Sequence, residues 1–386
     1  MRFQFAGSRV PLRPGWAPVP LPVRPAEGQR RNAAVSRLVG ALHRAPDQTM
    51  VDLFLLASAV HTADLLAGEG HGRTIAVSLP VVAPERWGRA LPMLERLLTH
   101  LTGDDWELEV RVASSYWSPD IPGWGRRADT VVGFTGGLDS YCHGTTVRDR
   151  PMVLVDRRGR RPLERFQRGL AEGLGVPPTR LASISVPPGG RTRGLLFLAA
   201  GVLVASSHRV RNLRVPENGL LAAWPPLGGI RAAHPVTLAR LNVVLRHLKL
   251  PHRVVNPLAY LTKGETCRET LEAGVDAATL FATVSCGFPK AADGSVRNCG
   301  TCVSCLVRYA SLVVANGGED GTVYRVDPAT LEPGEKGSEA LDALLAWLAE
   351  PEPSAEDLAP WPPGAEIAPV LDVIARGRAE LREVWS

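Results

Sequence analysis

The sequence predicts an α/β fold: a parallel sheet covered by helices, carrying a cysteine-rich insertion, preceded by a small α+β domain and followed by a helical tail. Three observations lead there. Short apolar strands alternate with helical segments from Ala128 to Asn256. A double-glycine turn follows the first of those strands directly. Cys286, Cys299, Cys302 and Cys305 then fall within one short stretch. The implied boundaries are 1–127 for the first domain, 128–328 for the sheet domain with its cysteine loop at 285–308, and 329–386 for the tail.

In the first domain, Asp52–Gly68 and Pro84–Leu101 have helical apolar spacing, with Trp87, Leu91, Leu94, Leu98 and Leu101 on one face. Ile75, Val77, Leu79 and Val81 alternate with period two, as do Trp106, Leu108, Val110 and Val112. The Pro-, Gly- and Trp-rich stretch Ser118–Gly125 reads as a linker.

From Ala128 the spacing predicts strand Thr130–Phe134 and a helix from Asp139, then strand Met152–Asp156 and a helix from Leu163. Strand Leu181–Val186 and helix Gly194–Ser206 follow, then strand Leu213–Pro216, helix Val236–Leu248 and strand Arg253–Asn256. Such alternation is the mark of an open parallel sheet with helices on both faces. Its ligands bind beyond the C-terminal ends of the strands. In the tail, Ala340–Leu348 and Val370–Val384 are helix candidates, separated by the Pro-rich Pro351–Gly364.

A length of 386 residues implies two or three structural units, and 45% hydrophobic residues suffice to build their cores. The formal net charge of +5 is mild for this length. It suits an anionic ligand such as a nucleotide and does not demand a long nucleic acid. Met1–Trp16 has no apolar core of a secretory leader. The longest apolar run, around Leu195–Ala205, is too short to span a bilayer and reads as a buried helix. A cytoplasmic protein without a membrane partner is expected, and there clustered cysteines argue for metal over disulfides.

The glycine turn is Phe134-Thr135-Gly136-Gly137-Leu138-Asp139-Ser140. Adjacent glycines let backbone approach a ligand without Cβ obstruction. The helix that follows points unpaired N–H groups and a positive dipole end at it. Thr135 and Ser140 add hydroxyls, so the turn reads as a phosphate cradle. The alternative is a strand-to-helix turn using glycine for geometry and Asp139 or Ser140 as a cap. It is not a Walker loop, because the Gly-Lys-Ser/Thr ending is missing.

Four thiolates close a tetrahedral zinc shell, and two-residue gaps let one tight loop supply neighbouring ligands. Thiolate spacing alone also admits an iron–sulfur centre; structural zinc is the preferred reading. Few aromatic or basic residues interleave with these cysteines, so no nucleic-acid partner is expected. Cys142 and Cys267 stand apart and read as small buried residues.

The glycine turn resembles the Ser-Gly-Gly-X-Asp-Ser signature of the PP-loop ATP pyrophosphatases, with Thr135 in place of the first Ser. The resemblance implies an adenine nucleotide α-hydrolase (HUP-like) sheet. It also implies ATP and magnesium as cofactors, with Phe134 to Ser140 and Asp156 at the nucleotide and Asp139 helping to place magnesium; Arg193, just before an apolar helix, is a further candidate phosphate contact, with a surface arginine as the alternative. Combined with the cysteine cluster, Pro257-Leu258, Thr262-Lys263-Gly264-Glu265, Ser285-Cys286 and Arg308, the segment Val131–Ala310 resembles the 7-cyano-7-deazaguanine synthase (QueC) family. That family activates the carboxylate of 7-carboxy-7-deazaguanine as an acyl-adenylate, which an amine attacks. Asp139, Ser140 and Lys263 are then the expected catalytic residues, Lys263 stabilising charge on phosphate or leaving group.

The sequence departs from that pattern at Asp156-Arg157-Arg158-Gly159 and at Pro216-Glu217-Asn218-Gly219, followed by Pro225-Pro226-Leu227. Residues 1–127 and the tail have no counterpart in a minimal synthase. The chain looks more like the QueC-like proteins of bacterial anti-phage systems such as Qat and type IV CBASS, and Leu101-Thr102-Gly103-Asp104-Asp105-Trp106 is similar to their N-terminal domain. This implies a ligase that couples the activated deazaguanine to an amine on a partner protein. Glu217 and Asn218, at a predicted strand end, are positioned to read the guanine-like edge of the substrate; a Pro-Glu-Asn-Gly turn is the alternative. Three competing functions remain open at this stage: a biosynthetic synthase using ammonia, an RNA sulfur-transfer enzyme, and an ATP-binding scaffold.

Overall fold

The structure, a computed structural model, describes residues 1–6, 12–20, 38, 40–113, 127–157, 161–224, 232–287, 294–358, 361 and 366–385. The linker expected at 118–125 lies outside them, as do Arg158, Gly159 and Pro225–Leu227. Both sheets of the described residues are wholly parallel.

The first sheet holds β1 (Arg2–Ala6), β2 (Ala17–Pro20), β3 (Thr74–Val81) and β4 (Asp105–Val112), in the order β2-β1-β3-β4. Helix α1 (Gln48–Leu66) connects β2 to β3, and α2 (Ala90–Thr102) connects β3 to β4. The α+β expectation for this unit is therefore corrected. Its helices are crossovers, which is why neighbouring strands run the same way. Strands β1 and β2 escaped the pattern because they are short, and β2 carries two prolines, which a sheet edge tolerates. The helix expected at Pro84–Leu101 splits into a 3-10 turn, Pro84–Arg86, and α2. Gly88 between them is a weak helix former.

The second sheet follows the predicted alternation: β5 (Thr130–Gly133), α3 (Leu138–Thr146), β6 (Met152–Arg157), α4 (Arg161–Gly173), β7 (Leu181–Ile184), α5 (Arg193–His208) and β8 (Asn212–Arg214). Next come the short α6 (Gly219–Ala223), α7 (Pro235–His247) and β9 (Arg253–Val255). The order is β7-β6-β5-β8-β9, with Val131 of β5 level with Val153 of β6 and Leu213 of β8. The chain winds outward through β6 and β7, then returns across β5. The winding reverses between β5 and β8, and a crevice opens at their C-terminal ends. Beyond the sheet lie α8 (Lys263–Glu272), α9 (Ala277–Phe281), α10 (Val303–Ala315), α11 (Glu339–Ala349) and α12 (Ala368–Trp385).

The first unit does not keep a core of its own. One apolar cluster runs from Phe3 and Phe5 through α1 and α5 to Val254. Helix α1 packs on α5, and α2 on α7. Buried on both sides, α5 is apolar around its circumference. By length and composition α1 could cross a membrane, yet 83% of its apolar window is buried in this core. A buried polar cluster adds direction to the contact. Asp64 of α1 accepts from Arg191 N (2.6 Å), Thr192 N (3.0 Å) and Thr192 Oγ1 (3.0 Å) in the loop before α5. Arg73 pairs with both Asp64 and Asp104, and Arg191 also reaches Asp104.

The tail folds back over the sheet domain. Helices α11 and α12 share an apolar cluster with α6 and α10, including Leu220, Leu306, Leu344, Trp347 and Ile374. A third cluster, with Phe134, Leu138, Leu154 and Leu174, lies beneath α3.

Candidate active site and metal centre

The turn from β5 to α3 begins at Phe134, whose N–H donates to the Val155 carbonyl at 2.7 Å. Gly136 has φ +76°, a left-handed conformation that favours glycine, and a Cβ there would come within 3.2 Å of Gln167 Cγ. Gln167 is buried and donates to the Thr135 carbonyl at 3.0 Å. Gly137 N–H donates to Thr135 Oγ1 (3.3 Å), and Ser140 Oγ donates to the Gly137 carbonyl (2.9 Å). These bonds set the loop's shape from within the protein.

Thr135, Gly137, Leu138, Asp139 and Ser140 line a cleft at the switch point. Across it stand Pro216, Glu217 and Leu221 from the end of β8 and from α6, with Lys263 from α8. Ser285 and Ser304 of the cysteine loop complete the wall. The N-termini of α3 and α10 both face this space, and each brings orphan amides and a positive dipole end.

Inside the cleft, Lys263 Nζ lies 2.7 Å from Asp139 Oδ1, and both side chains are buried. Asp139 Oδ2 accepts from Asn218 Nδ2 (2.9 Å) and Asn218 N (3.3 Å). Burial works to raise the Asp139 carboxyl, but Lys263 and the Asn218 donors outweigh it and hold it below the ordinary value. Burial likewise opposes charge on Lys263, and Asp139 and Glu217 overcome it, so the ammonium is held above its usual value. Glu217 goes the other way: burial, then the Asp139 charge, pushes it well above the carboxylate range. The three groups thus read as an ion pair beside a neutral carboxylic acid. Asn256 pins the Glu217 peptide from both sides, accepting from Glu217 N (3.2 Å) and donating to Glu217 O (2.7 Å).

Lys263 owes its place to helix geometry. Thr262 is the N-cap of α8 and forms a capping box with Glu265: Thr262 Oγ1 accepts from Glu265 N (3.0 Å), and Glu265 Oε2 accepts from Thr262 N (2.9 Å). Lys263 is therefore the first helical residue, facing the cleft.

The Sγ atoms of Cys286, Cys299, Cys302 and Cys305 all lie within 4.8 Å of one another, and Cys299 and Cys305 are 3.7 Å apart. A tetrahedron with Zn–S bonds of about 2.3 Å has edges of about 3.8 Å. The four cysteines are thus positioned to bind a metal ion, and the spacing fits a single ion such as zinc. An iron–sulfur cube, with each thiolate on a separate iron, would hold them farther apart. Gly300 (φ +89°) allows the loop to close, since a Cβ there would lie 1.7 Å from the Val326 carbonyl. Crowding, through hydrogen bonds among the thiols, pushes the pKa of Cys286 and Cys305 up and that of Cys299 down.

The glycine turn and the cysteine loop are one wall. Val284 N donates to the Gly136 carbonyl (3.1 Å), and Leu138 N, at the start of α3, donates to Ser285 Oγ (3.2 Å). Buried Asn298 secures the segment, accepting from Ser285 N (3.0 Å) and donating to Thr283 O (3.1 Å). Arg308, one turn after Cys305, is fully buried among neutral acceptors, including Thr283 Oγ1 (2.7 Å) and the Leu280 carbonyl (2.8 Å). A dication held by four thiolates carries net charge of about −2, which a buried guanidinium nearby would offset.

Of the residues expected at the nucleotide, Phe134 is buried beneath the loop, Asp156 is buried at the end of β6, and Arg193 is exposed at the start of α5. None of the three lines the cleft. Asn218 sits just below it with both ends of its amide engaged, Nδ2 on Asp139 and Oδ1 accepting from Leu221 N at 3.1 Å. Sequence reasoning passed over Ser285, Ser304, Gln167 and Asn256 as site residues. For the two serines a signal existed, because each directly adjoins a candidate ligand cysteine. Comparison with family models, with curated proteins and with solved structures gives no match to this chain.

Proposed function

We propose that this cleft adenylates the carboxylate of 7-carboxy-7-deazaguanine with ATP and couples the product to an amine, carried by a partner protein in anti-phage defence. One observation carries the reading. The glycine turn lies at the switch point of a parallel sheet and shares its cleft with the lysine of Thr-Lys-Gly-Glu and with serines of the four-cysteine loop. A parallel sheet whose winding reverses between β5 and β8, with the double-glycine turn at that point, supports a PP-loop reading of the HUP-like type. The resemblance to QueC-like proteins supplies the substrate.

In this reading Thr135, Ser140 and the open amides of α3 hold the departing pyrophosphate. Lys263 neutralises charge that develops on the phosphates. Asp139 would hold magnesium, which would supply positive charge against the phosphates. The substrate carboxylate attacks the α-phosphorus and pyrophosphate leaves. An amine then attacks the acyl carbon, loses a proton, and AMP departs. Glu217, protonated at the cleft wall, faces the substrate side. The sulfur-transfer alternative gains nothing from the remaining cysteines, because Cys142 and Cys267 are both fully buried.

The test is incubation of the protein with ATP, magnesium and 7-carboxy-7-deazaguanine, with and without ammonia and proteins encoded beside it, with all products read by mass spectrometry. AMP plus a deazaguanine-modified protein supports the ligase. AMP plus free nitrile makes it a biosynthetic synthase. Absence of AMP from metal-loaded, folded protein overturns the assignment and directs attention to RNA substrates or a scaffold role.

A further inference from the structure

The C-terminal helix α12 reaches the site from behind. Glu380 Oε2 accepts from Gly264 N at 3.2 Å, and Glu380 Oε1 accepts from the Thr262 hydroxyl. A Cβ on Gly264 would lie 2.6 Å from Glu380 Oε1, so the close approach uses the absence of a side chain. Four residues earlier on α12, Arg376 pairs with Glu265, the other half of the capping box, and donates to the Tyr260 carbonyl at 2.9 Å. The same helix holds the opposite wall. Val373 packs where a Cβ on Gly219 would sit, 2.8 Å from its methyls, directly after Asn218. One helix therefore braces both segments that supply partners to Asp139: Glu217–Asn218 before α6, and Lys263 at the start of α8.

The Glu380 contacts also sort the helix ends around the cleft. In α8 the Gly264 and Glu265 amides are satisfied by Glu380 and Thr262, so this helix offers the cleft chiefly the Lys263 side chain. In α3, the first amides after Leu138 remain orphans of helix geometry and are open to an anion.

We propose that Glu380 is a positioning residue: by fixing the first turn of α8 it sets the Lys263 ammonium against Asp139 and into the cleft. The consequence for ATP rests on the function proposed above; the placement of Lys263 does not.

The test uses the full-length, metal-loaded chain. Site-resolved acetylation by an N-hydroxysuccinimide ester, read by peptide mass spectrometry, follows Lys263 with Lys249 and Lys336 as internal references. Glu380→Ala is expected to raise the Lys263 rate by about tenfold or more, through local opening of the α8 end, with the reference lysines unchanged. Glu380→Gln, which can still accept from Gly264 N, restores most of the protection. Glu383→Ala, on the same helix, leaves it unaltered. A global loosening would instead quicken hydrogen exchange in β5 and β6 as well, since the exposed reference lysines report only reagent strength, and would count against the proposal, as would wild-type labelling of Lys263 in Glu380→Ala. Should Glu380→Ala not fold, Glu380→Asp keeps the charge and shortens the reach; wild-type Lys263 labelling in that variant overturns the proposal equally. Calorimetric titration of magnesium-ATP into the same proteins separates the two readings. If wild type binds no ATP while the labelling result holds, the ATP reading falls and the positioning role stands.

Discussion

Lys263 Nζ lies 2.7 Å from Asp139 Oδ1 in the floor of the cleft, although 124 residues separate them along the chain. The pair joins the first turn of α8 to the first turn of α3, and both groups are almost out of solvent. Breaking a buried pair strands a charge at a cost of about 3–5 kcal/mol. Lys263→Met should therefore destabilise the protein by about that amount, and Asp139→Asn by a similar one. The double variant should recover part of the loss, because no lone charge remains. Urea unfolding of the three variants measures the coupling; simple additivity would mean the pair is not formed. All three should lack ATP turnover.

The four-cysteine centre should be inseparable from the cleft. Ser285 adjoins Cys286 and holds the start of α3, and Ser304 lies between Cys302 and Cys305. A strong chelator should release about one zinc per chain. Nucleotide binding should vanish with it, while the far-UV spectrum retains most of its helical signal. Metal analysis with calorimetry checks this; apoprotein that binds ATP as before would show the two loops to be independent.

Two glycines should not tolerate alanine. Gly136→Ala forces a left-handed residue, at about 1–2 kcal/mol, and thrusts a methyl toward Gln167 and Phe166. Its expected outcome is a folded, metal-loaded protein with ATP affinity lowered by about tenfold or more. Gly300→Ala places a methyl into the Val326 carbonyl and should lose the metal itself. Zinc content distinguishes the two.

His143, one turn below Asp139 on α3, is buried and held down to about 4 by burial and, secondarily, by the Arg214 charge. An unfolded histidine takes up its proton near 6.5, so between these values the unfolded chain binds more protons. Stability from this group is complete above pH 6.5 and is lost as pH falls toward about 4, in total about 3 kcal/mol. His143→Gln should flatten that part of the stability–pH curve. Equal slopes for variant and wild type would sink the prediction.

Asp64 should hold the N-terminal unit to the sheet domain. It takes three hydrogen bonds from Arg191 and Thr192 and an ion pair from Arg73 while almost fully buried. Asp64→Ala leaves those donors unmet and should cost about 3 kcal/mol. Hydrogen exchange should quicken first in the loop 187–192, before β5 or β6 is affected.

Much of the second sheet was legible because its signals are local. The strand at Thr130, the helix from Leu138 and the later strands and helices follow apolar period and turn chemistry, and the tail helices lie within a residue or two of their expected ends. The glycine turn and the cysteine spacing were legible for the same reason: a left-handed glycine and a metal knuckle are each specified by a few neighbouring residues. Strands β1 and β2 were not, since five and four residues, the latter with two prolines, carry too little period to register.

By itself the sequence determined the main strands and helices that alternate from Thr130 to Val255, where a double-glycine turn meets a helix, and which thiols can share an ion. Only the tertiary structure decided that Lys263 is buried against Asp139, that the Asn218 amide is engaged on Asp139 and Leu221, that Arg193 is exposed and does not line the cleft, and that α12 braces α8 through Glu380. The physical reason is one of range. Backbone period and turn geometry act over a few residues. Burial, and with it the charge state of Asp139, Glu217 and Lys263, depends on which distant segments the sheet order brings together.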